Sequence, residues 1–231
     1  MDLLTQIKKR KATKEYNPNK KIAKETLKYI FNFINSAPTS MGIEHWRLLS
    51  VRSLDVKKKI VDGFMEGNKQ KFLDSSDALI FITKNKEWFR DQKNHQELQK
   101  IIKAKSKAYM EEFSIKSSPE KINEIVEAEI KSLRTGKNLN VLVDDITEWS
   151  KRQAYIALGY TLVISALKDI NSTPMEGFTE KLKELLLKEK LISKEESVSV
   201  CCLLGYIDNT KHPTIGNKQL RIDSKEKFTV K

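Results

Sequence analysis

Apolar residues recur with two different periods along the chain. From Ala23 to Ser36, Leu27, Ile30, Phe31 and Ile34 fall at helical spacing until Ala37-Pro38 ends the pattern, so an amphipathic helix feeding a loop is expected. Trp46 to Val51 and Ala78 to Thr83 are short runs rich in strand formers, and Val198 to Tyr206 is a third, more continuous one; together they suit a buried sheet. Lys151 to Asp169 places Ile156, Gly159, Tyr160, Val163, Ala166 and Leu167 on one helical face and is the expected central core helix.

Two segments read differently. Lys86 to Leu139 is charged and mostly helical, with a thin apolar stripe of Ile101, Ile102, Tyr109, Met110 and Phe113 that breaks near Ser114 to Pro119; a surface helical excursion is expected at about 86–139. Lys8 to Lys14 is a basic stretch leading into Tyr16-Asn17-Pro18-Asn19-Lys20, which reads as a loop. Strands and helices follow one another without regular alternation, which predicts an α+β layer fold instead of a doubly wound one.

Length and composition narrow this further. A chain of 231 residues is long enough for one domain with a full core, and nothing marks a boundary, so 1–231 is expected to fold as a single domain. Hydrophobic residues at 39% and charged residues at 32% describe a soluble globular chain with a highly charged surface. Val198 to Ile207 and Ala157 to Leu167, the longest apolar stretches, fall short of the ~18 residues that span a bilayer. The opening Met1-Asp2-Leu3-Leu4-Thr5-Gln6-Ile7 lacks a secretory pattern, which gives a cytoplasmic expectation. Cys201 and Cys202 are adjacent in an apolar run, where a disulfide would be strained; they read as buried strand residues in a reducing compartment. The net charge of +12 is carried by lysines interleaved with glutamate and aspartate, the pattern of solvated helix faces and not of one nucleic-acid-binding stripe. Such a field still draws in anionic ligands.

Chemistry is first limited by what is missing. There is no glycine-rich nucleotide fingerprint, no Walker-type loop and no Cys/His cluster at metal spacing, and His45, His95 and His212 are isolated, as surface or packing histidines are. What stands out is four separated segments at the edges of ordered elements: Lys9-Arg10-Lys11-Ala12-Thr13-Lys14, Ser36-Ala37-Pro38-Thr39-Ser40-Met41-Gly42-Ile43-Glu44-His45-Trp46, Asn68-Lys69-Gln70-Lys71-Phe72-Leu73-Asp74, and Thr173-Pro174-Met175-Glu176-Gly177-Phe178. In order and spacing they resemble the nitroreductase family of FMN enzymes, over nearly the whole chain. A helix, then small-Pro-Thr-Ser, then Trp46 opening a strand six residues after Ser40, is the most recognisable stretch.

The resemblance implies an α+β fold with a central, mostly antiparallel sheet flanked by helices, and an interlocked homodimer with FMN at its interface. It implies that Arg10, with Lys218 and Arg221 near the C-terminus, serves the phosphate, for which the planar fork of arginine is suited, and that Lys11 beside it is a further cofactor-binding residue. Pro38, Thr39 and Ser40 would line the phosphate and ribityl side. Lys14, Lys71 and Asn68 would face the pyrimidine edge of the ring, where reduction leaves negative charge, and Asn68 and Lys71, three apart on a helix, would share a face. Pro174, Met175, Glu176 and Gly177 would bring a backbone amide toward N5. Ala12 and Gly42 depart from the family pattern: the first lacks a hydroxyl and the second lacks a side chain expected near the partner's ring. An arm at about 219–231 would wrap the second subunit.

The implied activity is a ping-pong transfer of hydride from NADH or NADPH through flavin N5 to a nitroaromatic, quinone or similar small acceptor, with no side chain acting as nucleophile or acid, no metal, no nucleic acid and no membrane. Two other readings stay open here. One is a basic helical protein that binds nucleic acid or an acidic partner; the other is a flavin protein of the same fold with a different reductive task.

Overall fold

The computed structural model describes residues 2–135, 145–208 and 221–230. Four strands, β1 (Trp46–Val51), β2 (Asp77–Lys84), β3 (Asn171–Met175) and β4 (Glu196–Gly205), form one sheet in the order β1-β2-β4-β3, every pairing antiparallel. The helices are α1 (Leu3–Lys9), α2 (Lys24–Ile34), α3 (Leu54–Ile60), α4 (Glu66–Asp74), α5 (Lys86–Arg90), α6 (His95–Glu112), α7 (Pro119–Thr135), α8 (Ile146–Leu167), α9 (Glu180–Lys188) and the short α10 (Ser224–Lys227).

Why β2 and β4 read as near-continuous apolar runs is plain from the layers. Successive strand residues point to opposite faces. On one face Ala78, Ile80, Ile82, Cys201 and Leu203 pack against Phe64, Phe72, Leu182 and Leu186 from the α3, α4 and α9 side. On the other, Leu79, Phe81, Val200, Cys202 and Leu204 meet Ile30 and Ile34 of α2 and Ala154, Ala157 and Ile164 of α8. Both faces of the sheet are therefore covered, and both cysteines are buried free thiols on β4, as expected. Within the described residues 86–135, α5, α6 and α7 are helical with a break between α6 and α7, and they share a cluster of Trp88, Phe89, Leu98, Val126 and Ile130 with Trp149 of α8.

Three details correct the sequence reading. The buried face of α8 is Trp149, Gln153, Ala154, Ala157, Leu158, Thr161 and Ile164, whereas Ile156 is 39% exposed. The chosen face failed because α8 is apolar nearly all round, so periodicity does not select a side. Secondly, Asn171–Met175 is an edge strand; Pro174 disguised it, and a proline is tolerated there because an edge strand can lack one ladder donor. Thirdly, Tyr16, at the head of the expected loop, is fully buried and bridged to Ile207. No helix among the described residues is long and apolar enough to cross a membrane.

Candidate functional site

The segment after α1 is tied to the β3 edge. Ala12 bridges Ser172 in parallel, and Thr173 Oγ1 donates to Thr13 O at 2.8 Å. Tyr16 secures the same point, its hydroxyl 2.9 Å from Thr173 Oγ1 and donating to Leu203 O at 3.0 Å. Burial pushes that phenol far above its ordinary value, so it stays a neutral donor. Beside this anchor lie groups with nothing to bind. Arg10 Nη1 and Ser172 Oγ are buried with no hydrogen-bond partner among the described residues, and the buried Thr13 Oγ1 faces only the Tyr16 hydroxyl. Leaving a buried polar group unmade costs about 1–3 kcal/mol, so two such groups at one junction point to a polar ligand that completes them. Arg10 also lies near enough to Cys202 to oppose the effect of burial, which lifts that thiol to about 12.

A second wall comes from α4. Met65 N and Asn68 Nδ2 both donate to Gly177 O, at 3.0 and 3.1 Å, and Phe64 bridges Phe178, locking the start of α4 to the turn after β3. Lys71 follows three residues later on the same face. Burial, and then the charge of Lys14, lower the pKa of Lys71. Lys14 and Lys71 are thus electrostatic neighbours, and neither has an ion pair among the described residues. Two unpaired cations brought together repel, and an anion placed beside them reverses the sign of that energy.

Sequence reading missed what holds α4 in place. Lys57, in the run Lys57-Lys58-Lys59 that looks like a solvated basic face, is 1% exposed. Its Nζ donates to Ser75 O at 2.6 Å, Ser75 Oγ at 2.9 Å and Leu73 O at 3.4 Å, closing the carbonyl end of the helix that carries Asn68 and Lys71. Burial, and then Lys21, push its amine down to about 7. Only the tertiary packing distinguishes this lysine from its neighbours.

Gly177 fits here for a steric reason: a Cβ on it would overlap Asn68 Nδ2. Gly177→Ala is expected to displace the Asn68 amide and lower stability by about 1 kcal/mol, the worth of one hydrogen bond; urea unfolding measures this, and unchanged stability would mean that the Asn68 contact to Gly177 O does not hold α4 to the turn. Next to it, Tyr155 of α8 donates its hydroxyl to Glu176 Oε1 at 2.5 Å. Burial, then that contact, hold the Tyr155 phenol well above its usual value. Pro174 is half-buried on the β3 edge, while Met175 is 5% exposed and packs in the core, so its side chain belongs to packing.

The turn at 38–42 lies elsewhere. Ser40 N donates to Gln153 Oε1 at 2.8 Å, and Thr39 Oγ1 accepts from Glu44 N at 3.0 Å. The Ser40 amide is therefore already used, and the exposed Ser40 hydroxyl remains for a ligand. Gly42 takes φ +61°, which a glycine adopts without strain, and a Cβ there would lie 3.3 Å from Lys105 Cδ. Gln153 and Tyr155 are two positions apart on α8, roughly 200° around the helix. The turn and Glu176 thus approach α8 from opposite sides, and one chain does not bring them together. Lys11 and Arg10 are half-buried, Pro38 and Arg221 are exposed, and Lys218 and His212 lie outside the described residues.

His45 is a packing residue, 4% exposed and stacked on Trp149 with ring centroids 4.5 Å apart. His95 Nε2 lies 3.3 Å from Glu127 Oε1 at the surface. Among the described residues no group of His, Cys, Asp or Glu is arranged to hold a metal ion.

Residues 7–206 match the model of a family described as the nitroreductase family. A protein of Staphylococcus epidermidis, provisionally named NAD(P)H nitroreductase, is 31% identical over 199 residues, covering 85% of this chain and 84% of its own length. A similarly named protein of Staphylococcus haemolyticus is 30% identical with the same coverage. Among solved structures, a provisionally named nitroreductase of Bacillus subtilis superposes with a TM-score of 0.73 at 16% identity, covering 99% of this chain and 98% of that one. Another, from Exiguobacterium sibiricum and solved in complex with FMN, has a TM-score of 0.69 at 16% identity, covering 100% and 98%.

Proposed function

We infer that this chain, which belongs to the nitroreductase family, binds FMN and uses a reduced nicotinamide, NADH or NADPH, to reduce a nitroaromatic, quinone or similar small acceptor in two alternating half-reactions. The observation that carries this reading is the union of orphaned donors with unpaired cations at one junction. Arg10 Nη1, Thr13 Oγ1 and Ser172 Oγ offer buried polar contacts, and Lys14 and Lys71 offer uncompensated positive charge beside them. A doubly charged phosphate, a polyol and a ring edge that gains negative charge call for those two kinds of group.

FMN, when bound, supplies a ring that takes hydride from the nicotinamide and passes it to the acceptor. Arg10 would hold the phosphate, with Lys11, Lys218 and Arg221 as further cations of the two segments assigned to it. Thr13 and Ser172 would replace the hydroxyl that Ala12 lacks. Lys14, Lys71 and Asn68 would stabilise charge on the pyrimidine edge, and Gly177, between Met65 and Asn68, would present backbone close to the ring. No described side chain is asked to take or give a covalent bond.

A second copy of the chain completes this site in our reading. The turn Pro38-Thr39-Ser40 faces away from the first cluster, and α8 leaves an apolar strip open, with Tyr155 40% and Ile156 39% exposed and open space above Gly159. Two chains packed through that strip would each offer the turn to the other's cluster. The C-terminal segment, with Phe228 73% and Val230 97% exposed, has the apolar surface needed to lie on a partner.

The test is the visible spectrum of the purified protein before and after anaerobic addition of NADH or NADPH. Flavin bands that bleach are expected; no bands after incubation with FMN would overturn the assignment. Lys71→Met then probes the ring edge. A cation ~4 Å from a charge contributes about 4 kcal/mol at an effective dielectric near 20, and with half-exposure about half of that survives. The two-electron midpoint potential should therefore fall by on the order of 40 mV, and an unchanged potential would move Lys71 off the ring.

A further inference from the structure

A slot of about 650 Å³ runs between α6 and α7, and the turn at 39–42 reaches its rim through Met41. Its walls are Ile102, Tyr109 and Met110 of α6 and Ile125 of α7, closed by Ile115 beyond the end of α6. The volume is that of a small-molecule site, with an apolar lining and few polar groups. Those polar groups are unequal. Lys105 is neutralised by Glu44, Nζ to Oε1 3.0 Å. Glu129, half-buried on α7, has no hydrogen bond or ion pair among the described residues, so the slot carries one uncompensated acceptor.

The pairing of the helices orients the slot. Gln99 meets Glu127 and Lys103 meets Asn123, at 3.0 and 2.9 Å, so α6 and α7 run antiparallel. In that register Glu129 belongs to the Ile102 end, and Ile115 lies at the opposite, apolar end. Met41 and Lys105 stand beside the turn that the proposed function gives to a flavin.

We propose that the α6–α7 slot is the acceptor subsite, and that it selects acceptors whose flat or alkyl body carries a protonated amine, which Glu129 receives. The occupant is a small amphipathic cation because the slot's lining is mostly apolar and its single unbalanced charge is negative. An anionic tail would meet a carboxylate with Lys105 already engaged. Burial raises the pKa of the Glu129 carboxyl, and an ammonium partner would lower it again. The inference rests on the flavin reading of the neighbouring turn.

Three nitrobenzenes of equal length, ending in an ammonium, a methyl or a carboxylate, test it on the flavin-loaded protein. Equilibrium dialysis against the oxidised protein, without nicotinamide, reads binding directly; steady-state KM reads it in turnover. The ammonium probe is expected to bind about tenfold more tightly than the carboxylate probe, as one partly buried charge pair allows. Glu129→Gln should bring that ratio close to one by weakening the ammonium probe, while binding of the methyl probe stays as it was. Tyr109→Ala should weaken all three probes alike. A preference that survives Glu129→Gln, or equal binding of the three probes to the parent protein, overturns the proposal. Failure of the protein to take up FMN is a separate result that overturns the flavin reading instead, and dialysis of the flavin-free chain would still report on the slot.

Discussion

Arg10→Leu is expected to weaken FMN binding by about 10²–10³-fold without destabilising the flavin-free protein. A bidentate, charge-assisted contact to phosphate is worth roughly 3–4 kcal/mol, twice the 1.5–3 kcal/mol scale of single bonds to charged groups at its lower end. The second half of the prediction follows from the orphaned Nη1, which is buried and unpartnered in the unliganded chain. Removing it breaks no hydrogen bond of that atom, so the apo-protein should unfold at the same temperature or slightly higher. Calorimetry of the apo-protein together with FMN titration separates the roles. A fall in both stability and affinity would make Arg10 a structural residue.

The second large effect is on acid stability and comes from His45. Burial lowers its pKa from 6.5 to about 4, and neither ring nitrogen has a partner among the described residues. Between those values the unfolded chain binds a proton that the folded chain does not. Stability is therefore complete above pH ~6.5 and falls as the pH drops toward 4, by about 3 kcal/mol from this residue alone. His45→Phe keeps a ring against Trp149 and removes the proton site. Urea unfolding at pH 7 and pH 4.5 should show the variant losing about 2–3 kcal/mol less than the parent. Carboxylates titrate equally in both proteins, so the difference isolates His45; identical losses would mean that the imidazole opens to water before it protonates.

How much of this was legible in advance depended on the kind of signal. The strand at Trp46–Val51 was read to the residue, because an edge strand bounded by a turn and by Arg52-Ser53 carries its own limits. The strand at Asn171–Met175 was not, since a short edge strand containing Pro174 has too little apolar pattern to announce itself. Within the site, the spacing of Asn68 and Lys71 put them on one helix face, and α4 bears this out. Ser172, Gln153, Tyr155 and Lys57 had no signal. Each acts through a neighbour more than 15 residues away in sequence, such as Ser40 for Gln153 and Ser75 for Lys57. Lys57 illustrates the limit: three consecutive lysines are chemically identical until packing buries one of them.

The sequence by itself determined the layers and the family. Periodic apolar positions force helices and strands to bury definite faces, and short polar segments at their edges carry a recognisable order. Tertiary structure alone decided which face of α8 is core, which hydroxyls lie buried beside Ala12, and that the turn at 38–42 faces away from the cluster of Arg10, Asn68 and Lys71. The reason is physical: the direction of a side chain is local, but its burial, its partners and its charge balance are properties of groups that only the folded chain brings together.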